Sequence, residues 1–396
     1  MPRSKSRDSK GRLKRFGALA VALTLVGACS RSSTNAHATP PSTTGATTPA
    51  RASGYPLDSK LRLNQIQVLG SHNSYHGQPF PQVLAAIAKV GAAGAASLDY
   101  AHRPIAQQFP LGVRQLELDV WSDPQGGKYA HPSLLETLHL PPPDPKIMNR
   151  PGFKVIHQAD IDTNSTCLTF VICLQAVKAW SDANPGHVPI MIDVEMKDAS
   201  VTPATFDALN AEIRSVLKPD DLITPDDVRG NDASLGHAIR TRGWPTLGAV
   251  RGRVMFMLDN ENFAPIELQG HPSLRGEILF ASSVPGADDA AVAKLNDPIA
   301  DAAKIKAALA ANMLVRTRAD ADTVQARADD TTMRDAALSG GAQFVSTDYE
   351  VPDPRLGPYA VKIPGGTPAR CNPVTAPPGC TASDIENPKL LTKGSR

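Results

Sequence analysis

Aromatic residues are scarce in this chain, at 5 % of 396 residues, so no aromatic wedge for entering a lipid surface stands out. Charge of one sign is also missing. The 41 Lys and Arg nearly balance the 39 Asp and Glu, for a formal charge of +2. Much of that excess sits at the N-terminus, which leaves the remainder near neutral or slightly acidic. No basic patch suggests a nucleic-acid partner. Long apolar runs are missing too. The run 16–28 has 13 residues, too short to span a bilayer, and nothing later is long and apolar enough. The five cysteines lack the two-residue spacing of a zinc knuckle.

The short apolar run has the features of an export signal. Arg3, Lys5, Arg7, Lys10, Arg12, Lys14 and Arg15 precede it, with no twin-Arg pair. It ends Leu25-Val26-Gly27-Ala28-Cys29, similar to a lipobox, in which Cys29 becomes the lipidated first residue of a cell-envelope lipoprotein. An ordinary secretory signal with a chance cysteine is the alternative. Ser, Thr, Ala and Pro dominate the next segment, which has too few large apolar residues to offset its ordering entropy. The expected organisation is a signal over 1–28, a flexible tether over 29–54 and one domain over 55–396. Five cysteines fit an oxidising compartment. With Cys29 set aside, Cys167 and Cys173 form one local couple, Cys371 and Cys380 another. Two short-loop disulfides are the natural pairing, although four cysteines allow three connectivities.

Short apolar, β-branched runs recur at 66–70, 113–121, 154–157, 188–195, 253–259, 277–282, 313–318 and 343–348. Helical patterns lie at 82–93, 168–183, 203–217, 299–311 and 321–339, the last ending at Gly340-Gly341. Eight strands alternating with helices predict an α/β fold, a distorted (β/α)8 barrel with long loop insertions. The proline-rich segment 123–151 reads as a long loop, and 219–252 is irregular. An open α/β sheet is the structural alternative.

Strand periodicity puts Glu117 and Asp119 on one face of their strand, with Leu116, Leu118 and Val120 on the other. Asp193 and Glu195 share a face, as do Arg316 and Arg318. Charged pairs at the ends of buried strands are costly as filler. Their use is either an interior salt-bridge network or a cation site. Ser71-His72-Asn73-Ser74-Tyr75 follows the first strand and sets a histidine beside an amide ligand. With three carboxylates from Glu117, Asp119 and Glu195, this supplies a proton-transfer group and oxygen ligands for a hard divalent cation.

These segments resemble the calcium-dependent phosphatidylinositol-specific phospholipases C. Ser71-His72-Asn73-Ser74-Tyr75 is similar to the family's Ser-His-Asn-Thr-Tyr motif. The run 112–121 is similar to its second-strand motif, and 188–195 to a strand ending in another calcium-binding Glu. His157 falls where the family keeps its second catalytic histidine. The resemblance implies that Asn73, Glu117, Asp119 and Glu195 hold one Ca2+, with His72 as general base for the inositol 2-hydroxyl and His157 serving the transition state or leaving oxygen. A neutral imidazole with an ordinary pKa near 6.5 suits that role. The products it implies are diacylglycerol and inositol 1,2-cyclic phosphate. Lys197 is placed to meet a phosphate, Arg316 and Arg318 to contact phosphate or inositol, and Tyr349 to stack on the inositol ring.

Other barrel phosphodiesterases, the glycerophosphodiester phosphodiesterases and sphingomyelinases D, share a first-strand His and a Glu-x-Asp pair. The former open with His-Arg-Gly, whereas this chain has His72-Asn73-Ser74. The proline-rich insertion before His157 leaves His131 open as the second histidine. His76 and Asp162 lie near the motifs without an assigned role. A non-catalytic, lipid-anchored binding protein is the reading of a different class. The expected partners are a phospholipid head group and a membrane surface, with the protein a monomer.

Overall fold

A computed structural model describes residues 54–392. The signal, Cys29 and almost all of the tether lie outside the described residues. The strands are β1 Ile66–Ser71, β2 Val113–Trp121, β3 Lys154–Val155, β4 Ile190–Met196, β5 Leu222–Ile223, β6 Val254–Leu258, β7 Leu279–Ala281, β8 Val292–Lys294, β9 Leu314–Arg318, β10 Phe344–Thr347 and β11 Ala369–Cys371. Eight of them make a parallel ring in the order β1, β2, β4, β6, β7, β8, β9, β10 and back to β1. A single parallel bridge, Ser282 to Val292, joins β7 to β8. The fold is thus a curled parallel barrel of the (β/α)8 type.

The ring forms because its strands are apolar on the helix-facing side. Leu116, Leu118 and Val120 of β2, and Ile192 and Val194 of β4, are fully buried in one continuous core. Helices Phe170–Ala183 and Pro203–Val216 belong to the outer layer and bury Leu174, Val177, Leu209 and Ile213. Thr169 caps the first of these by accepting from the Ile172 amide at 3.3 Å. Both disulfides, Cys167–Cys173 and Cys371–Cys380, are formed.

Several expectations about elements need correction. The helix expected over 82–93 is Pro81–Ala88, broken at Gly91 before a second helix Ala92–Ser97. The loop 123–151 holds two short helices, Ser133–Thr137 and Pro145–Met148. The segment 154–157 is not a barrel stave. Lys154–Val155 pairs antiparallel with the end of β2, because the Lys154 ammonium is buried against Asp123 at 3.0 Å and donates to two loop carbonyls. The stave in its place is β8, only Val-Ala-Lys, too short to carry a periodic signal. The helix expected over 321–339 is two, Val324–Ala328 and Thr332–Ser339, parted where Asp329 turns to φ 49°. Outside the ring, β5 pairs with β6, and β11 runs antiparallel to β1. No described helix is long and apolar enough to cross a membrane.

Candidate active site

The register of β2 on β4 puts Glu117 beside Asp193 and Asp119 beside Glu195. Carboxylate oxygens of Glu117, Asp119 and Glu195 lie within 4.8 Å of one another. The turn after β1 is tied to the same place. The Glu117 amide donates to Ser74 Oγ at 2.8 Å, and the Ser74 amide donates to the Glu117 carbonyl at 2.9 Å. Asn73 sits in that turn at φ 46°, a conformation asparagine tolerates better than most residues. Its amide nitrogen donates to the Tyr100 hydroxyl at 3.0 Å.

Three clustered carboxylates, two of them buried and the third half-buried, are expensive unless a cation faces them. Burial, then the charge of Glu195, pushes Asp119 well above the usual carboxylate range. Burial likewise pushes Glu117 up to about 7, against the opposing pull of Arg316. Lys197 Nζ lies 3.2 Å from Asp119 and 3.1 Å from Glu195, and Arg316 pairs with Glu117. Lys197 is held above its ordinary value because these two carboxylates outweigh its own burial. Asn73 Oδ1 and Asp119 Oδ1 remain buried with no hydrogen-bond partner. Oxygens around one Ca2+ at 2.3–2.6 Å are at most about 5 Å apart. The spacing, the hard oxygen donors and the two unpartnered oxygens therefore fit that ion.

His72 stands next to the acids, with Nε2 3.7 Å from Glu117. Its Nδ1–H donates to Asp348 at 2.7 Å. That fixes the tautomer and leaves Nε2 as a lone-pair base, toward which Arg318 Nη1 points at 3.3 Å. Arg318 also donates to Asp348 at 3.0 Å. Burial, then the Arg318 charge, lowers His72 from its ordinary value to about 3. The imidazole is neutral as expected, but held far lower than an ordinary histidine. Asp348 is pulled well below the usual carboxylate range: burial would raise it, but the Arg318 charge and the hydrogen bond from His72 outweigh that.

His157 follows β3, whose antiparallel pairing turns the chain back over the end of β2. Its Nδ1 shares Asp162 with His76 Nε2, at 2.9 and 2.8 Å. The His76 ring stacks on Tyr100 at 4.4 Å and meets His157 edge-on at 5.8 Å. Tyr100 in turn holds Asn73. His131, by contrast, has a side chain 72 % exposed and pairs only with Glu136.

The other expected contacts divide. Arg318 is in the site beside His72, and Lys197 is on the acids. Arg316 is buried among Glu117, Asn296 and Ser346, so it braces Glu117 rather than facing a substrate. Tyr349 is 2 % exposed, edge-on to Tyr359 at 5.8 Å, and offers no open ring face for stacking. Asp348 was missed, although an acid just beyond a barrel strand adjacent to β1 is a usable signal. His102 gave no sequence signal at all.

A model of the family "Phosphoinositide phospholipase C, Ca2+-dependent" matches residues 61–373. The chain belongs to this family. It is therefore a phosphodiesterase of the phospholipase C type with a calcium requirement. Among solved structures, the fold is similar to a calcium-dependent phosphoinositol-specific phospholipase C from a Gram-negative Pseudomonas species, at 18 % identity and TM-score 0.52, over 80 % of this chain and 97 % of that one. The myoinositol complex of that enzyme gives TM-score 0.51 at the same identity and coverage. The Streptomyces antibioticus calcium-dependent phosphatidylinositol-specific enzyme gives 20 % identity over 73 % of this chain and 95 % of that one, with TM-score 0.48. No curated relative matches the chain.

Proposed function

We propose that the protein cleaves phosphatidylinositol to diacylglycerol and inositol 1,2-cyclic phosphate. The observation that carries this reading is a neutral, Asp348-oriented histidine base beside three clustered carboxylates. His72 Nε2 takes the proton of the inositol 2-hydroxyl. The freed oxygen attacks phosphorus in line, and the phosphorus–glycerol oxygen bond breaks. His157, oriented by Asp162, delivers a proton to the departing glycerol oxygen. Arg318 and Lys197 face the charge that builds on the phosphoryl oxygens. Asn73, Glu117, Asp119 and Glu195 would hold Ca2+, which when bound would polarise the phosphoryl oxygen and ease ionisation of the hydroxyl.

The chain is exported and tethered, by lipid on Cys29 and the segment 29–54, so that the domain over 55–396 works at a membrane as a monomer. The test is hydrolysis of phosphatidylinositol vesicles by the domain from Tyr55, with calcium and with chelator, followed by phosphorus NMR. A calcium-dependent cyclic phosphate signal is the expected result. Cleavage of glycerophosphodiesters or sphingomyelin without a cyclic product would overturn it.

A further inference from the structure

His102 lies outside the motifs, in the loop between helices Ala92–Ser97 and Ile105–Gln108. Its side chain is fully buried. Both ring nitrogens meet acceptors. Nδ1 is 2.9 Å from a Glu350 carboxylate oxygen, and Nε2 is 2.7 Å from the backbone carbonyl of His72. A carbonyl oxygen brings no proton, and an ionised carboxylate brings none either. With Glu350 ionised, both hydrogen bonds must be donated by the ring, so both nitrogens carry protons. The ring is then an imidazolium held by a buried counter-charge.

Its position gives it work. The His72 amide donates to the Thr347 carbonyl at 3.0 Å, and its carbonyl accepts from His102. The backbone of the histidine base is thus clamped on both sides. Glu350, the other end of the strut, is two residues beyond Asp348, which orients the His72 ring. The His102 amide donates to the His76 carbonyl at 2.9 Å, closing the same turn from its far end. The titratable groups around the ring are Glu350, Asp348, His72 and the Tyr100 ring, which meets it edge-on at 5.7 Å.

We propose that His102 is a positioning residue: a doubly donating strut that fixes the His72 backbone relative to the segment carrying Asp348. This rests on His72 being the general base. Charge matters as well as shape, because a neutral ring facing an ionised Glu350 can keep only one of the two bonds.

The test uses nitrogen NMR of the ring and two variants, H102N and E350Q. In the wild-type protein at neutral pH, both His102 nitrogens should show protonated shifts. H102N should lower kcat on phosphatidylinositol about 10- to 100-fold, as expected for a displaced base, while KM and calcium binding stay within twofold. It should also weaken the downfield proton signal of the His72–Asp348 bond. E350Q keeps an acceptor but removes the charge, so its kcat should decline at lower pH on the alkaline side than that of the wild type. A singly protonated His102 ring would overturn the proposal. So would H102N with a lowered melting temperature but unchanged kcat and unchanged His72–Asp348 signal. If H102N does not fold, E350Q and the wild-type ring decide. Should the wild-type protein cleave no phosphatidylinositol, the functional reading fails separately, and the ring and downfield signals still test the strut.

Discussion

Asp348 fixes the tautomer of His72 by accepting its Nδ1 proton. An amide in its place can present N–H to that nitrogen and favour the wrong tautomer, which in a serine protease triad lowers kcat about 10⁴-fold. D348N should therefore reduce kcat by about 10²- to 10⁴-fold with calcium affinity unchanged, read by steady-state kinetics and calorimetry. The two candidate second histidines separate in the same assay. H157A should fall by a similar order, while H131A should stay within twofold, since the His131 side chain is exposed and ion-paired with Glu136. His102 adds a pH-dependent stability. Burial lowers its pKa, but the Glu350 charge and hydrogen bond outweigh burial and raise it to about 9. A group raised in the folded state stabilises fully below its unfolded pKa near 6.5, and that contribution is lost as pH rises through about 9. The urea midpoint should fall between pH 7 and 9.5, and by less in E350Q. At this scale the sequence displayed the clustered carboxylates, Asn73 and His72, because they sit in contiguous motifs. It hid His102, and it hid the partners of Asp162, because these contacts join loops that meet only in space.

Elements were legible wherever a strand was long and a helix strongly periodic. Six of the ring strands were visible for that reason, and β7 because Ile278-Leu279-Phe280 is a bulky apolar run. β8 was not: it is equally short, and its Val-Ala-Lys offers neither such a run nor a period. The segment 154–157 misled because an apolar, β-branched run does not reveal whether its partner is parallel or antiparallel. The closing segment of the chain was equally hidden. There Glu386 accepts from Arg114 Nε at 3.1 and 3.0 Å and from the Val188 amide at 2.9 Å, which locks the C-terminal strap against the starts of two barrel strands. Both charges are buried, so removing one leaves the other unpaired. E386A should cost about 3–5 kcal/mol, measured by denaturant unfolding. Per-molecule turnover of the folded fraction should change little, because neither residue approaches His72 or the acids.

For the whole molecule, the barrel gathers onto one rim acids that the chain holds far apart. Glu117 and Asp119 come from β2 and Glu195 from β4, and the turn after β1 adds Asn73. Their mutual repulsion is borne by the fold. Lys197 and Arg316 face the acids, yet burial first, and neighbouring carboxylates after it, still keep Glu117 and Asp119 raised. A cation that binds these four residues in the folded chain, and not when they are dispersed, must stabilise the barrel itself. Mass action sets the size, about 2.7 kcal/mol at a calcium concentration 100 times Kd. Calorimetry of the domain from Tyr55 should therefore show Tm rising with calcium and falling with chelator. E195Q should shrink that rise by weakening the site, while raising the Tm measured in chelator, because it removes one of the repelling charges. H131A should leave both values alone. A Tm indifferent to calcium at saturating concentration would mean that the carboxylates are an interior salt-bridge network with Lys197 and Arg316, and that the calcium of this family binds elsewhere in the chain.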